Sequence, residues 1–199
     1  MINNFLEAIA KRRSVYGIGK QINITQEKIE EIIKQAVLYT PSAFNSQSSR
    51  TVLLFGEHHD KLWGIVMETL RKIVPSDAFS KTEEKINSFA AGAGTILYFE
   101  DMNVVENLQK QFPTFKDNFP VWSLQSNGML ELVVWTALEQ EGLGASLQHY
   151  NPIIDDEVKN VWNLPVSWKL IGQMPFGAKT AEPDTKKFLP LNDRFKSFK

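Results

Sequence analysis

Three short clusters in this chain carry side chains able to hold an anionic, polar ligand. Arg12, Arg13 and Ser14 set two guanidinium groups beside a hydroxyl at the end of what reads as a first helix, and a guanidinium fork grips phosphate or carboxylate through two parallel bonds. From Pro41, the run Pro-Ser-Ala-Phe-Asn-Ser-Gln-Ser-Ser concentrates hydrogen-bonding groups, Ser42, Asn45 and Gln47 among them, in a loop that feeds a β-prone stretch, Thr51 to Phe55. Loops seated on a core strand are well placed to carry a site. Lys179, Lys186 and Lys187 make a third, cationic group near the C-terminus. Each cluster taken alone also fits a solvated surface, since arginines suit a helix C-terminus and lysines a polar tail.

Other chemistries are excluded. The chain has no Cys, which removes disulfides, thiolate nucleophiles and Cys-ligated metals together. A dinucleotide fingerprint needs a third glycine, yet Gly17 and Gly19 are followed at that position by Ile22, and Gly142 and Gly144 by Leu147. His58 and His59 are adjacent and cannot share one helical face as metal ligands, so no metal site is expected. His149 ends the run Gly-Leu-Gly-Ala-Ser-Leu-Gln-His, where it fits either a hydrogen-bonded strand end or a site. With 22 Lys+Arg against 23 Asp+Glu, net charge -1, there is no general footprint for nucleic acid or an anionic membrane surface. The N-terminus lacks the basic and apolar regions of a signal peptide. The most apolar helix, around Leu130 to Leu138, is interrupted by Glu131 and followed by Glu139, so no membrane span is expected and the protein reads as cytoplasmic.

The elements that must position these clusters follow from periodicity. Asn3 to Arg13 reads as a short helix. Thr25 is a plausible N-cap for a second helix with Ile29, Ile32, Ile33 and Ala36 on one face, ending before Pro41. His59 to Val74 and Glu83 to Ala91 are helical, and Gly94 to Asp101 is a second buried strand. Asp117 to Glu141 forms a long helix with Leu130, Val133, Val134, Ala137 and Leu138 as its apolar face, closed by Gly142. Gly144 to Gln148 and Lys169 to Met174 are further strands, with a helix from Asp155 to Trp162 between them. Several helices among about four short strands, without βαβ repetition, predict a single α+β domain over residues 1–199. The polar tail beyond Gly177 suits a segment ordered by lying across a partner.

In order and spacing, Arg-Arg-Ser, Pro-Ser-Ala-Phe-Asn-Ser-Gln-Ser-Ser-Arg and Trp-Thr-Ala-Leu-Glu-Gln-Glu-Gly-Leu-Gly-Ala-Ser-Leu-Gln-His-Tyr-Asn-Pro resemble the nitroreductase family. Within it they are similar to the short-chain branch described as similar to fatty acid repression mutant proteins. The resemblance implies a mixed or antiparallel sheet of 4–5 strands flanked by helices, an intertwined homodimer, and FMN sites built from both subunits. It assigns Arg12 and Ser14 to the FMN phosphate and ribityl chain, with Arg13 assisting. Ser42, Ala43, Asn45 and Gln47 become the loop that reaches the other subunit's flavin, Gly144, Ala145 and Ser146 the segment against the ring, and Lys186, with Lys187 as alternative, a second phosphate cation. Longer relatives carry a lysine for the ring's pyrimidine edge where this chain has Tyr16, so that contact passes to another residue such as Asn87 or Gln125. The implied activity is FMN-dependent NAD(P)H oxidation coupled to reduction of nitroaromatics or quinones, with hydride passing through flavin N5 in ping-pong order and no essential protein acid or nucleophile. The alternatives are a flavin-binding redox or stress regulator with incidental reductase activity, and a non-flavin scaffold.

Overall fold

The computed structural model describes residues 4–199, so Asn3, the first residue of the expected first helix, lies outside the described residues. Helix α1 runs Asn4–Lys11 and leads into a two-residue strand β1, Ile18–Gly19. Helix α2, Gln26–Tyr39, starts where the Thr25 hydroxyl accepts from the Lys28 amide at 3.2 Å, and it buries Ile29, Ile33 and Ala36 at helical spacing. Strand β2, Ser49–Phe55, passes directly into α3, Gly56–Arg71, and α4 follows at Phe79–Ala90. Strand β3, Gly94–Asp101, is succeeded without a break by α5, Met102–Gln111. The long α6, Phe119–Gln140, ends at Gly142, whose φ of 80° is the left-handed conformation that closes helices. Strand β4, Leu143–Ala145, α7, Asp155–Val161, and β5, Trp168–Lys179, complete the fold.

The sheet order is β1-β5-β3-β2, with β4 also pairing β5, and every pairing of named strands is antiparallel. The α+β class is as expected, with five strands among the described residues. β3 lies between β2 and β5, and both its faces are covered. Ile96 and Tyr98 point to a layer made by α2 and α6, and Leu97 and Phe99 to one made by α3, α4 and α7. This is the two-residue alternation of a strand buried on both sides.

Several elements depart from the pattern reading: β1 falls where no strand was expected, and β4 stops at Ala145 where the strand was expected to reach Gln148. α5 was not expected; its cap is Asp101, the last residue of β3, whose carboxylate accepts from the Asn103 amide at 3.2 Å. β5 is twice the expected length because it runs on through Pro175 and Gly177. α6 is apolar on every side: Leu130, Val134 and Leu138 face the sheet, while Val121, Leu124, Met129, Leu132 and Val133 are exposed. Val133 therefore does not belong to the buried face. Among the described residues no helix is long and apolar enough to cross a membrane.

Candidate functional site

The segment after α1 and the segment after β5 are sewn together. Ile18 pairs with Lys179 across β1 and β5, and the Thr180 amide donates to the Gly17 carbonyl at 2.9 Å. A Cβ on Gly17 would come within 2.7 Å of the Ala181 Cβ, so only glycine permits this approach. The result is a groove of about 480 Å³ whose wall includes Arg12, Arg13, Ser14, Tyr16 and Lys186. Two of the three clusters read from the sequence, 174 residues apart at their extremes (186 − 12), thus meet in one place. Lys187 does not line the groove. The acidic Glu182 and Asp184 do, leaving three cations to two carboxylates.

Arg12 lies 4.2 Å over the Trp135 ring of α6, and its Nε is buried with no hydrogen-bond partner among the described residues. Burial, and after it the neighbouring Arg13 charge, lower the Arg12 pKa, while Glu139 opposes them. A guanidinium so placed stays charged and gains from any anion brought to it. Arg13 donates to the Asp184 backbone carbonyl and so ties the tail to the groove floor. Glu139 is occupied by Lys179 at 2.6 Å. Lys186 stands 5.3 Å from the Phe188 ring.

Gly144 and Ala145 reach the groove from behind. Ala145 forms a parallel bridge with Ser14, the Val15 amide donating to the Ala145 carbonyl at 2.9 Å. Both are buried in β4, and Val15 covers Gly144 so closely that a Cβ there would meet its Cγ1 at 2.8 Å. Ser146 is buried too; its amide donates to the Pro175 carbonyl at 3.3 Å and its hydroxyl accepts from Gln148 at 3.1 Å. Tyr16 is exposed, 6.2 Å from the Phe89 ring. Half-buried Tyr150 is pushed up to about 12, by burial first and then by Tyr16. His149 is exposed and makes no hydrogen bond among the described residues. Asn87 and Gln125 are exposed on α4 and α6.

Ser42 and Gln47 line a different cavity, of about 570 Å³, between the end of α2, β2 and α6, and it shares no lining residue with the groove. Their loop is strained. Phe44, Asn45 and Gln47 have φ of 56°, 49° and 48°, the left-handed region, which costs non-glycine residues on the order of 1–3 kcal/mol each. The loop is held by the Gln47 amide donating to Ser42 Oγ at 2.9 Å, the Asn45 amide to the Ser42 carbonyl at 2.9 Å, and Arg50 to the Gln47 carbonyl at 2.6 Å. Ala43 faces a water-sized void beside Ser46 and Ser48.

The adjacent histidines face different neighbours, His58 accepting from Trp162 Nε1 at 3.2 Å. His59 is buried, Nδ1 2.8 Å from Thr95 Oγ1 and Nε2 3.2 Å from the Ala90 carbonyl, and Trp63 Nε1 donates to the same Thr95 oxygen at 3.0 Å. Nε2 faces the Ala90 carbonyl, which can only accept, so the neutral ring carries its proton there and Nδ1 accepts from the Thr95 hydroxyl; burial lowers the His59 pKa. No cluster of metal-ligating side chains occurs among the described residues.

The nitroreductase family profile matches residues 9–178, which is most of the chain and includes the groove's first wall, the strained loop and all of the sheet but Lys179. The chain belongs to the nitroreductase family. Nitroreductase FRM2 of Saccharomyces cerevisiae is 31% identical over 188 residues, 94% of this chain and 93% of that protein. The structure of nitroreductase CinD from Lactococcus lactis in complex with 4-nitrophenol superposes with a TM-score of 0.89 at 47% identity, covering 98% of this chain and all of that one. At the level of fold alone, a nitroreductase structure from Desulfovibrio desulfuricans in complex with FMN matches with a TM-score of 0.72 at 17% identity. As a nitroreductase, this chain is an oxidoreductase. Trp135, Asp184 and Phe44 contribute to its candidate site without a signal that local sequence could have supplied.

Proposed function

We propose that this nitroreductase is an FMN-dependent NAD(P)H oxidoreductase, acting as a homodimer on nitroaromatic or quinone acceptors. The observation that carries the reading is the buried, unpartnered Nε of Arg12 in a groove shared with Arg13, Ser14 and Lys186. That donor set fits the terminal phosphate of FMN: charged donors for its oxygens, and a hydroxyl for the start of the ribityl chain. When bound, FMN would supply hydride transfer between a nicotinamide donor and an oxidised aromatic acceptor, each visiting in turn.

The residues of this chain bind and orient. Arg12, stacked on Trp135, presents its fork rigidly, and the Arg13 bond to the Asp184 carbonyl keeps Lys186 on the same groove. Gly144, Ala145 and Ser146 form the wall behind Ser14, with Tyr16 and Tyr150 beside it. Ser42, Ala43, Asn45 and Gln47 belong to the site through a second copy, because within one chain none of them lines the groove, and Ser42 and Gln47 face a separate cavity. The apolar outer face of α6 is suited to that pairing, since a run of exposed Leu, Met and Val costs solubility unless it is covered.

The test is the visible spectrum of the purified protein and its titration with FMN, followed by NADH and NADPH oxidation in the presence of 4-nitrophenol or a quinone. A flavin spectrum, and turnover that depends on both donor and acceptor, are expected. A protein that takes up no FMN on titration overturns the proposal.

A further inference from the structure

We propose that Phe44 is the positioning residue of the Ser42–Gln47 loop, its ring being the anchor that holds the loop in the conformation the flavin site uses. The inference rests on the flavin reading above for the site, but its structural half stands independently. A phenylalanine at φ 56°, ψ 21° is a genuine outlier, since the left-handed region is tolerated mainly by Gly, Asn and Asp. Such strain persists only where the surroundings over-determine it.

Here the surroundings are four aromatic rings around one. Phe44 stacks on Trp122 with ring centroids 5.9 Å apart and planes 18° from parallel. It meets Phe119 edge-on at 5.2 Å, and Phe112 and Phe115 at 5.0 and 5.9 Å. Phe112 caps α5, Phe115 lies in the turn that follows, and Phe119 and Trp122 belong to the first turns of α6. The rings thereby clamp the loop to the α5–α6 junction. The other restraints are local: three amide bonds inside the loop and the Arg50 bond to the Gln47 carbonyl. Releasing the ring leaves the left-handed residues free to relax to ordinary backbone, and the side chains of Asn45 and Gln47 move with them.

The experiment compares Phe44→Ala and Phe44→Tyr with the wild type by amide hydrogen exchange and FMN titration. Exchange at Asn45, Ser46 and Gln47, whose amides are bonded within the loop, reads its order directly. In Phe44→Ala these amides are expected to exchange about tenfold faster, while β3 amides are unchanged, and the FMN Kd to rise about tenfold from lost preorganisation. Phe44→Tyr keeps the ring and directs its hydroxyl to solvent from a half-exposed position, so both readouts stay near wild type.

Unchanged loop exchange in Phe44→Ala overturns the anchor. So does equal acceleration in β3, which would mean general loosening. Faster loop exchange with an unaltered Kd overturns the link from anchor to site. A wild type that binds no FMN removes the flavin reading and the link together, and the exchange result still decides whether Phe44 holds the loop.

Discussion

Glu131 is a carboxyl group with nowhere to place a charge. It projects from α6 toward the sheet, is 8% exposed, and its Oε1 has no hydrogen-bond partner among the described residues. It packs against Gly172 of β5 so closely that a Cβ there would sit 3.0 Å from that oxygen. Tyr98 of β3, itself buried and pushed well up by burial and then by Glu131, is the ionisable neighbour across the layer. Burial raises Glu131 from an ordinary 4.5 to about 7. The displacement of roughly 2.5 pH units, at about 1.4 kcal/mol each, is about 3.5 kcal/mol.

The native state therefore holds a proton that the unfolded chain releases. A pKa raised by folding contributes stability that is fully present below 4.5 and lost as pH rises through about 7. Glu131→Gln removes that titration. Relative to wild type, the variant should gain about 3.5 kcal/mol between pH 4.5 and pH 8, or roughly 7–14 °C in Tm for a chain of this size. Two-state urea or thermal melts of both proteins across that range measure it. His59 and Asp155, shifted in opposite senses, titrate in both proteins and cancel in the difference. Parallel profiles, or a gap that widens toward acid pH, would refute the reasoning.

Three further outcomes are expected. Arg12→Ala should weaken FMN binding by more than about 1.5 kcal/mol, over tenfold in Kd by fluorescence titration, because it deletes a charge-assisted pair; unchanged affinity would remove Arg12 from the phosphate site. Thr95→Val strips the partner from both His59 Nδ1 and Trp63 Nε1 in the core. At roughly 1–3 kcal/mol per orphaned group it should cost about 2–5 kcal/mol in urea unfolding, and a loss below about 1 kcal/mol would show that the network carries little stability. Leu132→Asp with Val133→Asp places two charges on the exposed apolar face of α6. If that face joins two copies, light scattering should find the wild type dimeric and the variant monomeric, from a loss of roughly 3 kcal/mol or more in apolar burial and uncompensated charge. A dimeric variant would move the interface elsewhere.

Local rules made some elements readable. α2 combined a threonine cap, a helical row of Ile29, Ile33 and Ala36, and a stop before Pro41, so three independent signals agreed. β2 and β3 were legible as apolar runs. β5 was legible only from Lys169 to Met174, because Pro175 and Gly177 beyond it read as breaks. At Gly177 a Cβ would come 2.4 Å from the Gly19 carbonyl, so the residue that looked like a terminator is what lets β1 dock on β5. α5 escaped because no breaker separates it from β3: Asp101 ends the strand and caps the helix at once. α6 misled through Val133, whose apolar character belongs to the outer face.

The same contrast separates the parts of the site. Arg12, Arg13, Ser14 and Lys186 were visible as residue types, because charge and hydroxyl chemistry can be read from composition alone. That they share a groove depends on the β1–β5 pairing and on the Thr180 amide finding the Gly17 carbonyl, contacts between chain segments more than 160 residues apart (180 − 17 = 163). The Phe44 anchor was less visible still. Its left-handed backbone runs against the preference of its own residue type, and the four rings that hold it come from three places: the end of the unexpected α5, the turn behind it and the first turns of α6. Strain of this kind is a property of the packed chain: local propensity opposes it, so only the tertiary neighbours can show that it is there.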